Sequence, residues 1–108
     1  MTLNKIHIIG NVGKNPESKP TQTMGKSLVT FSVAVSSKRK GEEHTQWFNC
    51  KAFSHTGTYA MDRLQKGSRV YLEGAMQSNK FEGKEYWDLI VNKILILDGK
   101  KETNDNYK

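Results

Sequence analysis

The chain has 108 residues, one cysteine and 17 Lys and Arg against 11 Asp and Glu, for a net charge of +6. This length suits one domain, the lone Cys50 excludes an intrachain disulfide or multi-cysteine zinc site, and no apolar run could span a bilayer. We therefore expect a cytoplasmic protein with a buried thiol. The charge predicts an anionic partner, nucleic acid ahead of a membrane surface or an acidic protein.

Apolar and polar residues alternate through the first half of the chain, as in strands. Lys5–Gly10 is the first predicted strand, and the polar stretch Glu17–Ser27, with its Pro and Gly, is a loop or irregular strand. Leu28–Ser36 is the second strand. The charged stretch Ser37–His44 predicts a projecting hairpin loop, and Thr45–Ser54 the third strand.

The second half begins with the one predicted helix, His55–Gln65, which Gly67 is placed to end. Arg69–Asn79 and Tyr86–Leu97 are the fourth and fifth predicted strands, on either side of a turn at Phe81–Lys84.

Five strands with a short helix between the third and fourth form the element order of a Greek-key OB barrel. We therefore predict an all-β protein with an OB-fold domain over residues 1–97. Residues 98–108 are almost all polar or charged, which predicts a short disordered tail.

The third predicted strand has two faces of different character. Its inward residues are apolar, whereas its outward residues place two large aromatic rings beside a cation; the outward set is Trp47, Asn49, Lys51 and Phe53. Exposed aromatic rings can stack on bases while cations neutralise phosphates, which favours binding of single-stranded nucleic acid. Alternatively, Trp47 and Phe53 fill a dimer contact or a small second core.

A second aromatic residue with neighbouring cations is Phe81, which Lys80 and Lys84 flank at the mouth of a loop. It is the next candidate for stacking, unless it only packs the hairpin. The hairpin loop adds a candidate phosphate clamp, or else a merely solvated tip, in the basic run Lys38, Arg39 and Lys40.

Trp87 shares strand parity with Leu89 and Val91, so we assign it to the core rather than to a ligand. No enzymatic signature accompanies these residues. His7, His44 and His55 match no metal motif, and no nucleophile has a neighbouring base in a known local pattern. We predict no catalytic residue, metal or cofactor.

Several stretches together resemble the bacterial single-stranded-DNA-binding protein family. They are Leu3–Ile6, Ile9–Glu17, Phe31–Val35, Trp47–Phe53 and Lys66–Gly74. The resemblance implies an OB fold, usually a homotetramer, that wraps single-stranded DNA without sequence preference during replication, recombination and repair. It also implies that the stacking aromatics are Trp47, Phe53 and Phe81.

Two departures from the family pattern carry their own expectations. Arg39, or a neighbour, stands where the family often has a further stacking tryptophan, so one platform is missing. The last residues, Asn104–Lys108, lack the family's acidic tip ending in Pro-Phe, which makes tail-mediated recruitment of repair and replication enzymes doubtful. The alternatives are a dimeric, primosome-like accessory protein of the same fold, which acts mainly through protein partners, and an RNA-binding OB module.

Overall fold

The structure is a computed structural model that describes residues 1–20 and 27–98. The predicted tail, residues 98–108, lies outside the described residues except for Asp98, and so does part of the predicted loop Glu17–Ser27. The elements in chain order are β1 (Ile6–Val12), β2 (Glu17–Lys19), β3 (Leu28–Arg39), β4 (Glu42–Phe53), α1 (Ser54–Arg63), β5 (Arg69–Phe81) and β6 (Lys84–Ile96).

The five long strands form a closed barrel, and this confirms the predicted fold class. The sheet order is β1-β5-β6-β4-β3-β2, and an additional β1–β3 pairing closes it. All neighbours are antiparallel except β4 and β6, which run parallel at Cys50↔Leu89 and Lys51↔Ile90. The three-residue β2 pairs with β3 within the segment predicted as a loop or irregular strand.

The barrel interior is filled by the inward residues of the long strands, as alternation requires. Its largest fully buried side chains are Val33, Cys50, Val70, Leu72 and Leu89. Ala60 of α1 and Leu64 just after it are buried in the same core. The helix has ten residues, and no helix in the described part of the chain has the length and hydropathy to cross a membrane.

The prediction of a buried thiol at Cys50 is confirmed, because the side chain is buried on the inward face of β4. Burial raises the pKa of this thiol to about 12, and the negative charge of Asp88 adds to the effect. A buried anion costs far more than a buried thiol, so Cys50 stays protonated and acts as a small core residue.

Two hairpins, β3–β4 and β5–β6, continue into wholly exposed ends. A hairpin does project at Ser37–His44, but the prediction that these residues form a loop is wrong, because pairing continues as far as Arg39↔Glu42. Only Lys40 and Gly41 form the turn, with φ of 53° and 81°. Two consecutive positive φ values give the turn a twist that matches right-twisted strands, so a hairpin can run to its very tip.

The assignment of Trp87 to the core is also wrong. The strand parity was correct, since Trp87 lies opposite Ser78 two pairs beyond the buried Leu89. At Trp87, however, the strand has left the barrel, and the side chain is 53% exposed. Alternation fixes which side of a sheet a residue takes, but burial also needs a second layer on that side.

Candidate nucleic-acid interface

The outer face of β4 presents Trp47, Asn49, Lys51 and Phe53 on one side of the strand, as alternation predicts. Trp47 is 58% exposed, and Lys51 and Phe53 are half-buried. Across the strand pair, Ala34 lies opposite Trp47 and Ser32 opposite Asn49. These small neighbours on β3 leave the aromatic ring uncovered on the sheet.

Gly13 supports the indole of Trp47 from the segment that follows β1. A Cβ on Gly13 would overlap the six-membered ring of Trp47, so only a glycine lets the ring lie this close. The Gly13 amide donates a hydrogen bond of 2.9 Å to the Ser32 carbonyl, which ties this segment to β3. Trp47 is therefore held from one side and open on another, the arrangement that a stacking platform needs.

Lys51 forms an ion pair that the sequence did not reveal. Its Nζ lies 3.2 Å from Oδ2 of Asp88, and the Asn79 amide donates to the same oxygen at 3.2 Å. The contact depends on the parallel pairing of β4 with β6, which brings residues 37 positions apart side by side. No local sequence signal marks such a pair, because it requires knowing which strands are neighbours.

A cleft of about 210 Å³ opens on this outer face between β3, β4 and the segment joining β1 to β2. Most of the residues that line it are polar, and two are lysines; the residues are Lys14, Asn15, Glu17, Thr30, Phe31, Ser32, Asn49, Cys50, Lys51 and Asp88. Amide, hydroxyl and ammonium groups are suitable donors to phosphate and sugar oxygens. Strand periodicity could not identify Lys14 and Asn15 as lining this cleft, because they lie outside the strands.

The β5–β6 hairpin divides its predicted site residues between two faces. The exposed Phe81 pairs with Lys84, and Tyr86 lies two pairs further along on the same face, opposite Asn79. Lys80 pairs with Glu85 on the other face, together with Trp87. The structure thus brings Lys84 beside Phe81 but separates Lys80 from it, and it adds Tyr86 as an aromatic neighbour.

The basic run of the β3–β4 hairpin is similarly divided. Lys38 lies opposite Glu43 on the face that carries Trp47, whereas Arg39 lies opposite Glu42 on the reverse face. Lys40 occupies the turn. Each strand cation therefore faces a glutamate across the hairpin, which reduces the net positive charge of the tip.

Residues 1–20 and 27–98 contain no group of three or more His, Cys, Asp and Glu that could hold a metal ion.

Comparison with known proteins places this geometry in a family context. The model of the single-strand binding protein family matches residues 3–96. The chain is similar to the single-stranded DNA-binding protein of Neisseria meningitidis, with 35% identity over 96% of this chain and 65% of that protein. It is also similar to that of Xanthomonas campestris, with 33% identity over 93% of this chain and 63% of that protein.

A solved structure gives the same result for the fold. The structure of Plasmodium falciparum SSB in complex with ssDNA superposes with a TM-score of 0.80 and 27% identity, covering 91% of this chain and 97% of that one. The chain spans 65% and 63% of the length of the two bacterial relatives. The family match over residues 3–96 confirms the resemblance inferred from the sequence, and the chain belongs to the single-strand binding protein family.

Proposed function

We propose that the protein binds single-stranded DNA without sequence preference and protects it in the cytoplasm during replication, recombination and repair. Bases stack on Trp47, Phe53 and Phe81, and lysines and arginine contact the phosphates. The relatives named for single-stranded DNA binding support this function, as does the solved relative in complex with ssDNA. The activity is binding alone, so it requires no catalytic group.

The observation that carries the proposal is the exposed Trp47 seated on Gly13, beside Asn49 and Lys51. An indole buries a large apolar area when covered, so exposing it is costly unless a ligand stacks on it. Every base offers a π-face, and this explains binding without sequence preference.

Phosphate contacts come from cations on both sides of the hairpins. The proposed set is Lys38, Arg39, Lys40, Lys51, Lys80 and Lys84. Lys38 and Lys84 share faces with Trp47 and Phe81, so a strand lying on the aromatics reaches them directly. Arg39 and Lys80 lie on the reverse faces, and they contact DNA only if the strand wraps around the hairpin tips.

We also propose that the protein is a homo-oligomer, with a tetramer favoured over a dimer. One supporting feature is the edge of β1. Among residues 1–20 and 27–98, Ile6–Gly10 pair with β5 on one side, and on the other side only Asn11 and Val12 are paired, with β3. An unpaired strand edge offers backbone donors and acceptors to another chain, here a second copy of the same strand.

The second supporting feature is an apolar stripe across the outer face of β1, β5 and β6, formed by Ile9, Tyr71 and Leu95 in register. Ile9 and Leu95 are about half exposed.

Beside the stripe, the Tyr71 hydroxyl donates to Glu73 at 2.6 Å, and its oxygen accepts from the His7 Nδ1–H at 2.7 Å. The hydrogen bond to Glu73 raises the pKa of Tyr71 and lowers that of Glu73.

The test is a titration of a labelled dT oligonucleotide by fluorescence anisotropy at several salt concentrations. Trp47→Ala, Phe53→Ala and Phe81→Ala should each weaken binding by about 1–3 kcal/mol, the usual contribution of one stacked base. Met61→Ala, at an exposed position on α1, is the control and should bind like the native chain.

The salt dependence supplies a second check, because log Kd should rise with log salt by about 0.7 for each phosphate contacted. Competition with an rU oligonucleotide and with duplex DNA tests the RNA alternative. Native-like binding by all three alanine variants, or preferred binding of rU, would contradict the proposal.

A further inference from the structure

Asp88 is an acidic side chain within the proposed DNA face. Its side chain is only 13% exposed, and its Oδ2 receives both the Lys51 ammonium and the Asn79 amide at 3.2 Å. It also lines the polar cleft that contains Lys14 and Lys51. The carboxylate is thus fixed by two partners and does not swing freely in solvent.

This arrangement affects what Lys51 can do for DNA. In the free protein the charge of Lys51 is already balanced by Asp88, so a phosphate approaching Lys51 meets a neutral pair and not a free cation. The other carboxylate of the cleft, Glu17, has its own partner in Lys19 at 3.0 Å. Asp88 is therefore the acid that competes directly for Lys51.

Partial burial makes the competition matter. An ion pair on an open surface is strongly screened by salt, whereas one held in a cleft is screened much less. A phosphate must either displace Asp88 from Lys51 or bind beside an unbalanced carboxylate, and both lower the gain from the contact.

We propose that Asp88 competes with the DNA backbone phosphate for Lys51, and so weakens binding and reduces its salt dependence. This inference rests on the proposed function and adds a residue that tunes it. A weaker contact at the centre of the face helps a sequence-independent binder release and move its strand. An affinity predicted from the number of lysines and arginines on the face would therefore be too high, because Lys51 does not contribute a full phosphate contact.

The experiment measures Kd for a dT oligonucleotide against salt for Asp88→Asn, which keeps the shape of the side chain and an oxygen for Asn79. Binding should tighten by about two- to fivefold, the equivalent of one modest ion pair. The slope of log Kd against log salt should steepen by about 0.7, one additional phosphate. Asp88→Thr serves as a second variant, and thermal unfolding verifies that each one folds.

Asp62→Asn is the matched control, because it makes the same substitution and the same charge change at an exposed position of α1. It should cause a smaller gain and no change in slope. Lys51→Met isolates the mechanism, since Asp88→Asn in that background should tighten binding no more than Asp62→Asn does.

The outcomes separate this inference from the proposed function. If the native chain fails to bind dT at low salt, both the proposed function and the competition by Asp88 are contradicted. If the native chain binds dT but Asp88→Asn binds no more tightly than Asp62→Asn, or if its gain persists in the Lys51→Met background, the competition alone is overturned. A loss of affinity for dC relative to dT in Asp88→Asn that the native chain does not show would also overturn it, because Asp88 would then accept a hydrogen bond from a base amine.

Discussion

Gly13 determines how Trp47 is held, and this contact gives a prediction at the scale of one methyl group. In Gly13→Ala the new Cβ would overlap the indole, so the ring must move away from its seat. Binding of a labelled dT oligonucleotide should weaken, but by no more than the loss expected for Trp47→Ala, which is about 1–3 kcal/mol.

The control for this prediction is a double-mutant cycle. In the Trp47→Ala background there is no ring to displace, so Gly13→Ala should cause no further loss. Near-ultraviolet circular dichroism reports the movement of the ring in the single variant. If Gly13→Ala weakens binding equally in both backgrounds, Gly13 affects DNA binding by another route, and its contact with the Trp47 indole plays no part.

Residue placement was predictable wherever strand parity decides it. The outward positions of Trp47, Asn49, Lys51 and Phe53 followed from alternation, and the structure has them there. Trp87 was assigned wrongly because parity says nothing about where the second layer of the barrel ends. The Lys51–Asp88 pair could not be predicted for another reason, because it forms only where β4 and β6 are neighbours in the sheet.

The two hairpins are the elements in which sequence and structure differ most. Charged residues at Ser37–His44 indicated a loop, yet polar side chains suit a two-stranded ribbon with both faces in water. Each hairpin has a glycine as the second residue of its turn, at Gly41 and Gly83. A glycine at that position was the available sequence signal for a tight turn.

The β5–β6 turn provides a test at this scale. Gly83 has φ of 80° and Glu82 has φ of 51°, so both occupy the left-handed region. Gly83→Ala places a Cβ in that conformation and should lower the free energy of unfolding by about 1–2 kcal/mol. Glu82→Asn should raise it by a few tenths of a kcal/mol, because asparagine tolerates positive φ better than glutamate.

Urea unfolding followed by circular dichroism measures both changes. The hairpin also carries Phe81, so Gly83→Ala should weaken DNA binding in addition to its effect on stability. Equal stability of Gly83→Ala and the native chain would mean that the turn readily adopts another form, which would contradict a hairpin paired to its tip.

At the scale of the whole molecule, element order alone was enough to predict the barrel. The helix between the third and fourth long strands fixed the topology, and α1 does lie there. The short β1–β3 pairing that closes the barrel and the parallel β4–β6 pairing could not be predicted from the sequence, because both join segments far apart in it. The prediction of a tetramer came from family resemblance, and the structure supplies two surfaces on which it can be tested.

The open edge of β1 and the apolar stripe of Ile9, Tyr71 and Leu95 are different surfaces of the same barrel. Two distinct self-complementary contacts generate a closed tetramer of two dimers, whereas one generates only a dimer. If strand edges form the dimer and stripes join dimers, then Leu95→Lys places a charge in the second contact alone. The native chain should sediment as a tetramer and Leu95→Lys as a dimer.

Leu95 is half exposed in the protomer, so the charge should not unfold the barrel. Met61→Lys introduces the same charge at an exposed site on α1 and should remain tetrameric. Sedimentation velocity at several protein concentrations distinguishes the species, and circular dichroism verifies the fold. A native monomer would refute self-association, and an unaltered tetramer in Leu95→Lys would place the joining contact elsewhere. A monomeric Leu95→Lys would mean that the β1 edge does not associate by itself, and the stripe would then carry the whole assembly.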